Sequence, residues 1–205
     1  MRFGIAFIHV DSEECCRLQF HFRKIKETDQ KVNWLDMQVE IFNALQGKTV
    51  KRWVGIEMAL RDTDDCIPEY RHPTVNYLQM SRIDAELKEV PTARFMTSQD
   101  NDIFGLIRFD GLADIPTSDH EDRSGFYCPR EILELPVGMI DEVSVVGLTQ
   151  VISEVHFRIA GQRVSMYAGE IYEDRELNYE VRFLDECILV QVDGTRPEAM
   201  SFSPD

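Results

Sequence analysis

The sequence predicts an α+β fold, mainly antiparallel β-sheet with one long N-terminal helix, and three stretches carry this prediction. Residues 3–22 and residues 151–192 alternate apolar and polar side chains, a period that is typical of strands with one buried face. Residues 29–46 instead place apolar side chains at helical spacing. We therefore expect an N-terminal hairpin, a helix and a C-terminal meander, with room for one further short helix.

The first predicted element is a hairpin whose two strands flank a polar loop at residues 11–14. Its apolar faces consist of Phe3, Ile5 and Phe7 on one strand and of Leu18, Phe20 and Phe22 on the other. Pairing Phe7 with Leu18 matches these faces and places His9 opposite Cys16. Because opposed residues of antiparallel strands lie close together, this register predicts a contact between His9 and Cys16.

The second predicted element is the helix at residues 29–46. Thr28 or Asp29 can cap its first turn, and Gly47 stands where helices commonly end. Trp34 belongs to the broad apolar set of this helix, so we expect its indole to pack in the core. A helix with so wide an apolar surface needs a sheet or a partner to cover it.

The middle of the chain predicts two strands with an ambiguous segment between them. Apolar residues share one phase over residues 50–60, and residues 103–109 form a second apolar run. Residues 75–90 fit a strand by alternation, yet the spacing of Met, Ile, Leu and Val within them also fits a helix. The helix-forming composition and the capping-box pair Ser81 and Asp84 favour a short helix here.

The C-terminal meander begins with a predicted hairpin. Pairing Phe157 with Val164 leaves residues 160–161 as its turn and sets apolar residues opposite apolar residues. The residues expected to be buried on this sheet are Val155, Phe157, Val164, Met166, Val181 and Phe183.

A bulge and a second hairpin complete the predicted meander. The alternation slips at Gly169, and a glycine at a change of phase is typical of a bulge. Pairing Phe183 with Ile188 leaves residues 185–186 as the second turn.

The composition predicts a cytoplasmic protein of one domain, or of two lobes at residues 1–100 and 101–205. The chain has 205 residues, of which 43% are hydrophobic and 29% are charged, as in ordinary globular proteins. No apolar run approaches the roughly 20 residues of a membrane helix, and the N-terminus lacks the features of a signal peptide. The five cysteines form no CxxC pair, so we expect reduced thiols.

Acidic charge is concentrated in the second half of the chain. The whole chain carries −15. Residues 1–100 hold 14 Lys and Arg against 16 Asp and Glu, giving −2, whereas residues 101–205 hold 8 against 21, giving −13. Charge of this sign repels nucleic acid and anionic membrane and attracts a basic partner. Plain solubility is the alternative explanation.

Few residues suggest chemistry. Nucleotide, zinc-protease and hydrolase motifs are absent, so we expect no cofactor and no metal. Cys16 opposite His9 is the most visible nucleophile and base, although a small buried structural thiol beside a histidine is the favoured explanation of the pair. The acidic loop from Asp114 to Asp122 resembles a cation site in composition only, and a solvated loop is the favoured interpretation. His156 is expected on the outer face of its strand in an ordinary cross-strand ion pair.

The sequence therefore favours an acidic cytoplasmic protein-binding module, of the inhibitor, immunity or adaptor type, that engages a basic partner without binding nucleic acid or membrane. The residues assigned to partner binding are Asp114, Asp119, Glu121, Asp122 and Trp53. Trp53 is included because it lies on the polar phase of its strand, where an exposed indole can anchor an interface. Two alternatives are an enzyme that uses Cys16 and His9 or the acidic loop, and a nucleic-acid mimic.

Overall fold

A computed structural model of the chain describes residues 34–62, 68–70, 76–88, 92–100, 102–111, 126–148, 150–173 and 179–194. The predicted N-terminal hairpin, with His9 and Cys16, lies outside the described residues. The same holds for the acidic loop with Asp114, Asp119, Glu121 and Asp122. The expectations for these six residues therefore stay predictions.

The described residues form one short helix and mostly antiparallel sheet, which confirms the coarse fold class. The helix is α1 (Trp34–Asn43), and the first six strands are β1 (Thr49–Met58), β2 (Arg61–Asp62), β3 (Pro68–Glu69), β4 (Leu78–Leu87), β5 (Thr92–Asp100) and β6 (Ile103–Gly111). The remaining strands are β7 (Tyr127–Glu131), β8 (Gly138–Leu148), β9 (Val151–Ile159), β10 (Gln162–Glu173) and β11 (Tyr179–Val192). None of the described residues belongs to a helix long and apolar enough to cross a membrane.

Six strands close into a ring of antiparallel pairings. β8, β9, β10 and β11 pair in chain order, β11 then pairs with β4, β4 with β1, and β1 with β8. One edge of β4 pairs first with β11 and then with β5 of the β5–β6 hairpin. One edge of β1 likewise pairs first with β8 and then with β7. Two strands that each change partner along their length thus fold the nine-stranded sheet into layers around one core. β2 and β3 form a separate two-stranded pair.

The core is centred on four aromatic side chains from four different elements. The Phe95 ring centroid lies 6.1 Å from those of Phe42 and Trp53 and 5.8 Å from that of Phe157. Aromatic pairs at these separations attract one another beyond the effect of burial. All four side chains are buried, so Phe95 connects α1, β1 and β9 across the interior.

The predicted exposure of Trp53 is wrong, because its indole is 1% exposed and lies in this core. Trp53 Nε1 donates a hydrogen bond to the carbonyl oxygen of Pro136 at 2.8 Å. The pairing of β1 with β4 shifts register between Val50 and Arg52. A bulge of this kind reverses the face of every later residue in the strand, so the phase read from Val50 does not apply to Trp53.

The predicted first hairpin of the meander is confirmed residue for residue. Val164 pairs with Phe157 and Met166 with Val155, and all four side chains are buried. Ala160 at the turn has φ 52°, and Gly161 follows with φ 82°. Val181 and Phe183 are only half-buried, so the predicted buried set is confirmed for four of its six members.

Within the described part of the predicted helix at residues 29–46, the helix is the ten residues of α1, and residues 29–33 lie outside the described residues. Past Asn43 the chain tightens, since Leu45 N bonds to Phe42 O and Gln46 N to Asn43 O. Gly47 then adopts φ 79°, a left-handed conformation that favours glycine, as predicted for the end of the helix. Trp34 is 38% exposed rather than packed in the core, so that expectation is corrected.

The short helix predicted within residues 75–90 is wrong, because this segment is strand β4. Its alternation is the stronger signal, since Ile83 and Ala85 lie in the core. Ser81 Oγ contacts the carbonyl oxygen of Ile56 instead of capping a helix, and Asp84 binds two arginines. Pairing on both edges outweighs the helix propensity of the composition.

The predicted turn at residues 185–186 is also wrong, because β11 is one continuous strand with a bulge. Ala168 of β10 pairs with Ile188, and the next residue, Gly169, pairs with Phe183, so residues 184–187 are extra on β11. The predicted slip at Gly169 is thus confirmed, although the added residues belong to the partner strand. A Cβ on Gly169 would lie 2.6 Å from the carbonyl oxygen of Arg182, so the close approach at the bulge requires glycine.

Candidate functional site

The second face of β9 and β10 carries a buried row of polar side chains. Glu154, His156 and Ser165 are all buried although they lie on the phase opposite the core. The expectation that His156 stands on an exposed outer face is therefore wrong. Arg158, two residues on, does reach solvent and contacts Glu142 of β8. No pattern in residues 151–159 indicates that the second face of β9 is covered at His156.

The row is held together by hydrogen bonds across and along the strands. Ser165 Oγ lies 2.9 Å from His156 Nδ1, and Glu154 Oε2 lies 3.3 Å from His156 Nε2. The ring of Tyr167 meets the imidazole edge-on at 5.9 Å. Gln191 Nε2 donates to the hydroxyl of Tyr167 at 3.2 Å. Both ring nitrogens of His156 thus have polar neighbours inside the fold.

The order serine, histidine, carboxylate is the one that activates a nucleophile in hydrolases. A nucleophile must also be reached by its substrate, and Ser165 is only 1% exposed. The hydroxyl of Ser165 therefore satisfies a buried imidazole, as buried polar groups require. We conclude that the row stabilises the sheet.

Replacing Ser165 by alanine should lower the free energy of unfolding by about 1–3 kcal/mol, because His156 Nδ1 loses a buried hydrogen bond. Ser144→Ala is the matched control, since Ser144 is exposed on β8 and lies opposite His156 in the same sheet. It should change stability by no more than about 0.5 kcal/mol. Urea denaturation followed by circular dichroism measures both. Equal effects of the two substitutions would contradict a structural role for this hydrogen bond.

A second cluster surrounds the bulge of β11. The hydroxyl of Tyr172 lies 3.2 Å from Glu170 Oε2 and 3.1 Å from Asp185 Oδ2. The guanidinium of Arg182 covers the Tyr172 ring at 4.2 Å. Burial raises the pKa of Glu170 to about 7, with the charges of Asp185 and Glu186 acting in the same direction. The bulge therefore gathers carboxyl groups that do not all ionise readily near neutral pH.

A third feature is an exposed surface where α1 runs beside β8. Leu35, near the start of α1, lies against Gly147, and beyond the end of the helix Gly47 N donates to the carbonyl oxygen of Ile140 at 2.8 Å. Gln46 Nε2 also donates to the carbonyl oxygen of Asp141 at 3.1 Å. We use the term α1–β8 surface for seven of the exposed residues of these two elements: Trp34, Asp36, Met37, Glu40, Asp141, Val146 and Leu148.

The α1–β8 surface combines negative charge with large apolar side chains. Within the described ranges, no Lys or Arg forms an ion pair with Asp36, Glu40 or Asp141, unlike Glu142, which contacts Arg158. Trp34 and Met37 lie on the same helix as Asp36 and Glu40. Aromatic residues and methionine are enriched in protein interfaces, so this composition fits a binding surface better than a bare acidic face would.

Of the residues predicted to bind a partner, the structure places only Trp53, and a buried indole offers no anchor. Sequence reasoning missed the α1–β8 surface because it assigned Trp34 to the core. Cys128 and Cys187 are free and buried, as expected of reduced thiols. Among the described residues, no three His, Cys, Asp or Glu side chains converge as metal ligands.

Comparison of the chain with protein-family models, with curated proteins and with solved structures found no match.

Proposed function

We propose that the chain is a cytoplasmic protein-binding module of the inhibitor, immunity or adaptor type, which engages a basic partner. The observation that carries the proposal is the α1–β8 surface, where Asp36 and Glu40 lie exposed on the same helix as Trp34 and Met37, and Asp141 is exposed on β8. The net charge of −13 over residues 101–205 supports the same sign of partner. The acidic loop of Asp114, Asp119, Glu121 and Asp122 would add to this field.

The two kinds of side chain have different roles in this proposal. Exposed carboxylates attract a basic protein during its approach, which raises the association rate. Trp34 and Met37 bury apolar area only after contact, so they lower the dissociation rate. A partner would therefore carry a basic patch that surrounds an apolar depression. A nucleic-acid mimic, the alternative with the same charge, needs carboxylates at phosphate spacing, and an exposed tryptophan does not contribute to that mimicry.

We expect the double substitution Asp36→Asn with Glu40→Gln to weaken binding chiefly by slowing association. Long-range attraction decays over about 8 Å at physiological ionic strength and about 3 Å at 1 M salt, so high salt should remove the difference from wild type. The measurement is surface-based binding kinetics against the partner recovered by pull-down at low salt. Trp34→Ala should instead act on the dissociation rate.

Matched controls separate a specific surface from general acidity. Asp100→Asn with Asp102→Asn removes the same charge from the β5–β6 turn and should leave association nearly unchanged. Neutralising Asp119, Glu121 and Asp122 tests the acidic loop separately. Equal slowing by all three variants would show that net charge alone matters. Salt-insensitive association would refute the proposal.

A further inference from the structure

We propose that the β11 bulge, residues 184–187, is a pH-sensitive latch that is held closed by one proton shared among Glu170, Tyr172 and Asp185. The latch loosens when this proton passes to solvent. The inference is independent of any binding partner, because it concerns the hydrogen bonds of the bulge itself.

The hydroxyl of Tyr172 has fewer hydrogens than its two carboxyl contacts require. A tyrosine hydroxyl has one hydrogen to donate, and an ionised carboxylate can only accept. The hydroxyl of Tyr172 nevertheless contacts carboxyl oxygens of both Glu170 and Asp185, at 3.2 and 3.1 Å. Both contacts are full two-centre hydrogen bonds only if one carboxyl keeps its proton, since otherwise a single hydrogen is shared between two acceptors. Glu170 would then donate to Tyr172, and Tyr172 to Asp185.

The charges around Glu170 support its choice as the protonated group. Burial, together with the charges of Asp185 and Glu186 of β11, raises its pKa to about 7, whereas Tyr172 and Arg182 oppose this rise. Arg182 is itself engaged by Glu180 at 3.0 Å. Burial also raises the pKa of the Cys187 thiol, which therefore adds no charge. From β5, the neutral hydroxyl of Thr97 reaches the carbonyl oxygen of Glu186.

Asp185 connects the shared proton with the backbone of the bulge, because its carboxylate has hydrogen bonds to both. Asp185 Oδ1 accepts the backbone N–H of Glu186 at 2.8 Å, while Oδ2 of the same carboxylate contacts Tyr172. Leu184, just before it, is held at φ 64°, a conformation that costs a non-glycine residue free energy. Repulsion between an ionised Glu170 and Asp185 acts directly on these contacts. Loss of the proton should thus favour opening of residues 184–187.

The direction of the pH effect follows from linkage. The pKa of Glu170 in the folded state, about 7, lies above its ordinary value of 4.5. Between these values the closed bulge binds a proton that the opened bulge releases, so closure weakens as pH rises through this window. Above pH 7 both states are ionised and the effect levels off. Because a single proton is linked to opening, the increase is at most about tenfold per pH unit, and the partial exposure of Glu170 keeps it below this limit.

Carbon-13 NMR of glutamate-labelled protein between pH 4 and pH 9 tests the first step. One side-chain carboxyl should titrate near pH 7, and its signal should be missing from Glu170→Gln. Asp185→Asn should lower that midpoint because it removes a neighbouring charge, whereas Glu142→Gln, on the exposed face of β8, should not. If the signal lost in Glu170→Gln titrates below about pH 5, as ordinary glutamates do, the shared proton does not exist.

Hydrogen exchange of the full chain tests the second step. After correction for intrinsic exchange, amides of residues 184–187 should open several-fold more often at pH 7 than at pH 5 in wild type, and Glu170→Gln should remove this dependence. Peptides from β8 serve as the internal control. A dependence that is the same in wild type and in Glu170→Gln, or absent from both, would refute the latch.

Discussion

Replacing Phe95 by alanine is expected to lower the free energy of unfolding by about 3–5 kcal/mol, the range for a fully buried phenylalanine. The Phe95 ring contacts the rings of Phe42, Trp53 and Phe157, which come from three other elements. Truncation would leave a cavity that no single neighbour can fill, because each is fixed by its own strand or helix. Urea denaturation at constant pH measures the loss.

Phe109→Ala is the control for this substitution. Phe109 lies on the neighbouring strand β6 and is 41% exposed, so its removal should cost far less, about 1 kcal/mol or below. If the two substitutions proved equally mild, Phe95 would not hold the layers together, and the central position given to it in the core would be incorrect.

Asp84→Ala is expected to have the second large effect. It should lower the free energy of unfolding by about 3–5 kcal/mol, because it removes the buried partner of two arginines. Asp84 is 0% exposed and receives two hydrogen bonds from Arg82 and two from Arg94. Both guanidinium groups are mostly buried, so water cannot fully replace the carboxylate. Thermal and urea denaturation should both report the loss.

The control for Asp84 is an ion pair on the surface. Glu142 and Arg158 are exposed and lie 3.4 Å apart, and such pairs contribute about 0–1 kcal/mol. Glu142→Ala should therefore be nearly silent. A mild effect of Asp84→Ala would mean that Arg82 and Arg94 find other partners. The buried contacts of Asp84 with these two arginines would then not explain why β4 is a strand at this point.

Local signals in the sequence predicted the parts of the fold that depend on near neighbours. The β9–β10 register follows from matching Phe157 with Val164, which lie seven residues apart, and the end of the helix follows from Gly47. The slip at Gly169 also marked the correct position. In each case the deciding contacts lie within one hairpin or one helix turn, so the pattern of apolar residues is sufficient.

The parts that the sequence did not predict depend on distant strands. Trp53 is buried because pairing with β4 introduces a bulge in β1. The residues next to Trp53 show no pattern that predicts this bulge. Residues 185–186 resemble a turn, yet β10 is long enough to pair with both halves of β11, so the chain bulges instead of reversing. Burial of His156 likewise requires that both faces of β9 be covered.

The candidate sites likewise depend on contacts between different elements of the fold. Tyr172 contacts Asp185 only because β11 has four extra residues at its bulge. These residues lie between Phe183 and Ile188, which pair with the consecutive residues Gly169 and Ala168 of β10. The α1–β8 surface arises from a helix and a strand about a hundred positions apart in the chain. Periodicity within a segment carries no information on such contacts between distant elements.

The most direct test of the proposed function is a nitrogen-15 correlation spectrum of the protein titrated with its recovered basic partner at low salt. The proposal predicts that shifts concentrate on amides of Trp34–Asn43 and Gly138–Leu148 and fade when salt is raised to 1 M. Shifts confined to β5 and β6, or unchanged at high salt, would contradict it.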